Sequence, residues 1–252
     1  MNINGNCIAI TSDEHGQVYV YETRNSRILS FDGKIYQSSM KLNNINGLHL
    51  MYTQAMMAAL LFIPQVKTAT VMGLGAGSMV KSLLNSFPEL DVHAVEYRKA
   101  VVKAAQKHFY LPYTNRLCIH VDDAVHHIKH TDIKSDIIFS DLFNTDGMEV
   151  NQVQSSYLRD CKDALTEQGV LALNICNTSP RLREELDQLL INEFNNQLLQ
   201  FDVDEGNTII FAFKNDKPLI EKKDLLTKAQ VLHKQMNIPM EQYVKLLLGA
   251  AS

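Results

Sequence analysis

The stretch VMGLGAGSMVKSLL, Val71 to Leu84, runs from an apolar, strand-like segment through Gly73, Gly75 and Gly77 into the start of a helix. Glycines in a strand-to-helix turn let the backbone adopt positive φ and approach a ligand closely. The dinucleotide loop G-x-G-x-x-G/A puts a small residue where the helix packs beneath a pyrophosphate. Here Ser78 stands at that place, and the third glycine comes one position early. G-x-G-x-G suits a nucleoside without a pyrophosphate. Alone, it also fits a plain turn, because glycine punctuates loops.

The flanking sequence supplies the fold. From Thr68 onward the apolar segments TATVMGL, DVHAVEY, LCIHVDD, DIIFSDLF and GVLALNICN each precede a helix-like segment. Apolar strands joined by helices predict a mostly parallel sheet covered on both faces. NQLLQFDVDE and NTIIFAFKN, separated by a short acidic turn, predict an antiparallel hairpin at one edge. Upstream, QVYVYETRNSRILSFDGKIYQ alternates apolar residues ahead of the turn Asp32-Gly33, which predicts a small antiparallel β-region, with Ile8 to Thr11 as a further strand. HLMYTQAMMAALLFI is too densely apolar and too long for an ordinary strand and reads as a buried helix ending before Pro64. Lys222 to Ser252 reads as one or two amphipathic helices. The expected organisation is α/β: an N-terminal β-hairpin region, residues 1–45, and a Rossmann-like nucleoside-binding domain with C-terminal helices, residues 46–252.

Bulk properties narrow the function. The 252 residues can bury a substantial core, and a net charge of −4 gives no global reason to bind nucleic acid or an anionic membrane. MMAALLFI is too short to span a bilayer, and the first residues lack a basic region followed by an apolar run, so a cytoplasmic protein is expected. Cys7, Cys118, Cys161 and Cys176 are scattered without a C-x-x-C pair and read as reduced structural thiols, three of them in apolar contexts. His93, His108, His120, His126, His127 and His130 fall on different elements without ligand spacing, so no metal site is expected.

The ends of successive strands carry carboxylates. Glu96 closes the second strand 23 residues after Gly73, near the spacing at which an acidic residue takes a ribose diol. Asp122 and Asp123 close the third, where one carboxylate can accept from an adenine amino group and the other, or either, can cap the helix of AVHHIKH. Asp141 closes the fourth, where it would face the reacting end of a ligand and accept a proton from an attacking amine. Glycine loop and carboxylates together point to an adenosine-type ligand.

With these residues assembled, the chain resembles the spermidine synthase family, the aminopropyltransferases. ILSFDGKIYQSS is similar to the family's L-x-L-D-G-x-x-Q segment, YTQ to its Y-H/Q-E, and GLGAGS to its G-G-G-D-G-G loop. AVEYRKAVVKAAQKHF is similar to its V-E-I-D-x-x-V segment, HVDDA to G-D-G/A, and SDIIFSDLFNTDG to Y-D-V-I-I-x-D-x-x-D-P. The likeness runs from about Gln17 to Asn177. It implies a methyltransferase-like Rossmann fold behind a small β-domain, a homodimer, and a site in which Glu96 and Asp123 hold ribose and adenine. Asp141 would be catalytic in that site, the glycines and Gln54 would contact the donor, and Tyr52 and Asn144 the acceptor. The chain departs from the family at Ala76, Asn144 and Gln54, where the family keeps carboxylates. Three lost carboxylates argue against ordinary putrescine binding, since a buried charge without its partner costs about 3–5 kcal/mol. Asp204 and Glu205 in the last hairpin turn read as a solvated turn, with replacement charge as the other reading.

The expectation is therefore a spermidine synthase-like transferase. Its donor would be decarboxylated S-adenosylmethionine or S-adenosylmethionine, with methylthioadenosine a product-like ligand, and its acceptor a small molecule such as an amine. An S-adenosylmethionine-dependent methyltransferase and a non-catalytic nucleoside-binding protein stay open beside it. Ser78 and the family likeness disfavour a nicotinamide enzyme.

Overall fold

The structure, a computed structural model, describes residues 3–144, 147–148, 150–176, 179–203, 206–219 and 221–250. Four strands come first: β1 (Asn6–Asp13), β2 (Gly16–Glu22), β3 (Ser26–Ser30) and β4 (Ser38–Lys41), an antiparallel sheet in chain order. Next come α1 (Met51–Met56), a 3-10 helix (Met57–Phe62), β5 (Thr68–Met72), α2 (Ser78–Ser86), β6 (Asp91–Glu96), α3 (Lys99–His108), β7 (Leu117–Val121), α4 (Ala124–His130) and β8 (Ser135–Ser140). The chain continues through the two-residue strands β9 (Phe143–Asn144) and β10 (Gly147–Met148), a 3-10 turn (Val150–Val153), α5 (Ser155–Ala164), β11 (Leu165–Cys176) and α6 (Pro180–Glu193). It ends with β12 (Leu198–Val203), β13 (Asn207–Phe213), α7 (Lys222–Met236) and α8 (Met240–Ala250).

The main sheet has the order β12-β13-β11-β8-β5-β6-β7. Its strands are parallel from β11 to β7, while β13 runs antiparallel to β11 and β12 antiparallel to β13. β6 and β7 lie to one side of β5, and β8 and β11 to the other, so the strand order reverses at β5. A crevice beyond the carboxyl ends of the strands at such a reversal is where α/β sheets bind ligands. The Val/Ile/Leu runs of β5, β8 and β11 are buried because helices cover both faces: α1, α2, α7 and α8 on one, α4, α5 and α6 on the other.

HLMYTQAMMAALLFI forms two short helices rather than one. Ala55 to Leu61 are all buried, so packing from every side, not a one-sided apolar stripe, sets the backbone. The chain tightens to 3-10 geometry and turns extended at Ile63, the residue that Pro64 bars from helix. The cysteines also differ from expectation. Cys161 alone is buried; Cys7 and Cys118 lie on the edge strands β1 and β7 and are exposed.

α3 joins the two sheets. Its Ala100, Val101 and Ala104, with Phe109 just beyond its end, pack on Val18, Val20, Leu29 and Met40 of the first sheet. An ion pair reinforces the seam: Arg98 Nη2 lies 2.8 Å from Asp13 Oδ1 and donates to the Gly16 carbonyl at 2.8 Å, and the Ala100 amide donates to Asp13 Oδ2 at 3.0 Å.

Lys81 of α2 is buried behind this seam, its Nζ donating to the Phe109 carbonyl at 2.7 Å with Met40 Sδ at 3.1 Å. Burial pulls its pKa down from 10.5 to about 8. Between those values the unfolded chain binds the proton and the folded one releases it, so stability must rise as pH rises through that window. Urea midpoints from pH 7 to 10 are expected to show the wild type gaining on the order of 2 kcal/mol relative to Lys81→Met. Parallel pH curves for the two proteins would contradict this.

Candidate active site

A cavity of about 740 Å³ opens at the sheet reversal, lined by the ends of β5, β6 and β8, by the start of α4, and by the first sheet's β1–β2 and β3–β4 turns. The size is that of a small-molecule site.

The glycine loop shapes one wall. Gly73, Gly75 and Gly77 all have positive φ, at 90°, 53° and 72°. A Cβ on Gly73 would lie 2.2 Å from the Asp141 carbonyl oxygen, so this glycine lets the β8 end close against the β5 end. Gly73→Ala should therefore unseat Asp141 as well as strain the backbone. The expected loss is about 1–3 kcal/mol in thermal or urea unfolding, together with weakened ligand binding. Gly73 and Gly75 line the cavity; Gly77 does not. It is the left-handed N-cap of α2 and faces Leu111 and Leu74, so its role is to start the helix. Ala76 also points away from the cavity: it is fully buried in the apolar cluster with Val18, Val20 and Phe109.

Glu96 ties this loop to β6. Its Oε2 accepts from the Leu74 amide at 3.1 Å and the Gly75 amide at 3.4 Å, and its Oε1 from the Arg98 amide at 2.9 Å. Burial pushes the carboxyl pKa up, and these three amides work against that shift. A carboxylate offers about four acceptor positions, so one stays open and the long Gly75 contact is the easiest to exchange.

Asp122 and Asp123 both line the cavity. Asp123 is the N-cap of α4, its Oδ1 accepting from the His126 amide at 2.9 Å. Asp122 meets the His126 side chain, Nδ1 to Oδ2 at 3.0 Å. One carboxylate thus caps the helix while also facing the cavity, because the N-cap position and the strand end coincide in this tight connection.

At the other end stands Asp141. Its Oδ1 accepts from Asn174 Nδ2 at 2.8 Å and its Oδ2 from the Tyr52 hydroxyl at 3.3 Å. Asn174 is itself held by Asn207, whose Nδ2 donates to its Oδ1 at 2.8 Å. Burial raises the Asp141 pKa from 3.8 to about 6 against the pull of Asn174 and Tyr52. The result is a carboxylate fixed by two donors, ionised at neutral pH and close enough to neutrality to take a proton. Cys176 and Asn207 line the cavity with it.

The structure brings Gly73, Gly75, Glu96, Asp123, Asp141 and Tyr52 around one cavity. Gln54 lies elsewhere: its Nε2 donates to the Leu48 carbonyl at 2.9 Å and its Oε1 accepts from the Tyr243 hydroxyl at 3.2 Å, bracing α8 against α1. Asn144 is in β9, but its side chain, like Asp204 and Glu205, falls outside the described residues. Sequence reasoning missed the contribution of the first sheet, His15, Tyr36, Gln37 and Ser38, and the Asn174–Asn207 pair that holds Asp141. It also missed Tyr97, whose ring packs against His15 in a tilted contact, 4.2 Å between centroids. The signal available was the alternation of β1 to β4, which places turns at one end of the small sheet without saying that this end meets the cavity.

A strand-order reversal, a glycine turn and acidic residues at the ends of the neighbouring strands define a Rossmann-like architecture with a ligand-sized crevice, here behind a small antiparallel sheet. The spermine/spermidine synthase domain model matches residues 49–203, and the chain belongs to that family. A polyamine aminopropyltransferase of Neisseria meningitidis is 29% identical over 217 residues, covering 84% of this chain and 81% of that protein. In fold, the chain is similar to a probable spermidine synthase from Corynebacterium glutamicum, with TM-score 0.77, 17% identity, and coverage of 96% and 94% of the two chains. It is also similar to human methyltransferase-like protein 13, solved in complex with SAH, with TM-score 0.69, 22% identity, and coverage of 75% and 93%. Among the described residues no helix is long and apolar enough to cross a membrane.

Proposed function

We propose that the chain is a group transferase that binds an adenosyl sulfonium donor and transfers a carbon group from it to an amine, with Asp141 as the proton acceptor. The carrying observation is the placement of Glu96 and Asp123 on one wall of the cavity and Asp141, held by Tyr52 and Asn174, at the other. In this reading Glu96 takes a ribose hydroxyl at its open acceptor position and exchanges the long Gly75 contact for a second. Asp123 receives the adenine amino group on the oxygen not used for capping, and Tyr97 offers the base an aromatic face.

The donor supplies a carbon activated by S⁺, ready for in-line displacement. The protein's part is orientation and proton transfer. Asp141 accepts a hydrogen bond from the acceptor amine, which points the nitrogen lone pair at that carbon. As the N–C bond forms, the C–S electron pair returns to sulfur and the proton passes to Asp141. Tyr52 and Asn174 hold the carboxylate still throughout.

The acceptor in this reading is a monoamine that attacks in its neutral form. Asp141 is the one carboxylate at the reacting end among the described residues and takes the proton of the attacking amine, so the ammonium of a second amine group would sit without a partner. Methyl transfer from intact S-adenosylmethionine is the second reading, favoured by the cavity-lining loop residues Gly73, Leu74, Gly75 and Ser78, none of them acidic, so that no side chain of the loop would repel a methionine carboxylate. Incubation with each donor and a panel of monoamines and diamines, with products identified by mass, separates them. Aminopropylated monoamine with methylthioadenosine supports the first reading, and methylated amine with S-adenosylhomocysteine the second. No product from either donor contradicts both.

A further inference from the structure

The strand register brings together side chains that lie far apart in sequence. In the parallel pair β6–β7, His93 is the partner of Cys118, and His120 follows two residues later on the same face. One ligand atom each from His93, Cys118 and His120 falls within 4.8 Å of the other two. His93 Nδ1 and His120 Nε2 are 3.3 Å apart, and their rings lie nearly parallel, 23° between planes. In a tetrahedral zinc site with Zn–N near 2.0–2.1 Å, two imidazole nitrogens are separated by about 3.3–3.4 Å. The two rings already stand at the edge length that a bound ion requires, with a shared hydrogen where the ion would be.

We propose that His93, Cys118 and His120 form a binding site for a zinc-class transition-metal ion, separate from the donor cavity. Two imidazoles and a thiolate form a soft N₂S set, which selects Zn²⁺ and its congeners over Mg²⁺ or Ca²⁺. β7 is the edge strand and Cys118 is exposed, so an ion can enter from solvent and a fourth coordination position stays open to water. His127 of α4 packs its ring 4.5 Å from His120 and reaches Asp122 at 3.8 Å. Asp122 lines the cavity, so an ion that fixes His120 also stiffens the wall bearing Asp122 and Asp123.

The test is titration of the reduced full-length protein with Co²⁺ alone, followed by absorbance, and then with Zn²⁺ as competitor. One equivalent of Co²⁺ should give intense tetrahedral visible bands and a near-ultraviolet thiolate-to-cobalt band, both removed by Zn²⁺, and Zn²⁺ should raise the melting temperature. Cys118→Ser, at an exposed position, should fold normally and lose the thiolate band. His93→Ala and His120→Ala should each weaken binding more than about tenfold, the loss that removing even a ligand's supporting partner can bring. The exposed pair His126→Ala/His130→Ala, whose rings lie 4.5 Å apart on α4, should leave the titration unchanged. No saturable cobalt binding by the wild type, a thiolate band that survives Cys118→Ser, or binding lost with His126 and His130 instead would overturn the proposal.

Discussion

Asp141→Asn should lower turnover by about 10²–10⁴-fold, the usual contribution of a positioned general base, while leaving donor affinity within a few-fold of wild type. The amide keeps one acceptor for Asn174 and offers its NH₂ to the Tyr52 oxygen, so the geometry of the reacting end survives and only proton acceptance is lost. The same change should stabilise the fold at neutral pH. Burial raises the carboxyl pKa from 3.8 to about 6, so ionising Asp141 works against the native state. For a raised carboxyl, the native state gains most below pH 3.8, and the gain is lost as pH rises through about 6. Asn carries no such charge, and its melting temperature at pH 7.5 should exceed that of wild type by the equivalent of about 1–3 kcal/mol. The wild-type rate should in turn fall on the acid side with an apparent pKa near 6. Unchanged turnover in the variant would remove Asp141 from the chemistry.

Arg98→Met should destabilise the seam between the two sheets by about 3–5 kcal/mol, the cost of leaving one member of a buried ion pair alone. Asp13 is the member left behind, with its side chain only 5% exposed. Burial draws its pKa upward, but the Arg98 hydrogen bond, the Ala100 amide and the Arg98 charge outweigh burial and hold it below 3.8. That stabilisation is present above pH 3.8 and disappears as pH falls through the lower folded value, so the wild type should lose its advantage over Arg98→Met in acid. The first sheet carries His15 and Tyr36 into the cavity wall, so loosening its clamp should weaken ligand binding as well. Urea unfolding at pH 7 and pH 3 checks both halves. A loss below 1 kcal/mol at pH 7 would show that the apolar contacts of α3 hold the seam without the ion pair.

What the sequence disclosed follows from what each signal encodes. Continuous apolar runs such as TATVM and DIIF demand burial on both faces, so the parallel sheet and its antiparallel edge were legible. Glu96 and Asp141 were placed in the crevice because a residue at a strand's carboxyl end in an open α/β sheet has few other places to go. Side-chain direction inside a tight loop is not encoded that way. Ala76 turns into the seam and Gly77 caps α2, although the family likeness suggests a ligand-facing place for the first and the glycine spacing for the second. Gln54 is one residue from the cavity-lining Thr53, but its side chain points toward Tyr243 of α8, a partner 189 residues away. The grouping of His93, Cys118 and His120 depends on the register of two parallel strands, which the intervening helix leaves free in the sequence and which the fold alone fixes.

The central claim is that the cavity binds an adenosyl sulfur compound, and isothermal calorimetry of the full-length protein tests it most directly. Methylthioadenosine, S-adenosylmethionine, its decarboxylated form and NAD would each be titrated into wild type and Asp141→Asn. Saturable one-to-one binding of at least one adenosyl sulfur compound, equal in both proteins and stronger than that of NAD, is the predicted result. No heat from any adenosyl sulfur compound, or tighter binding of NAD than of all three, would contradict it.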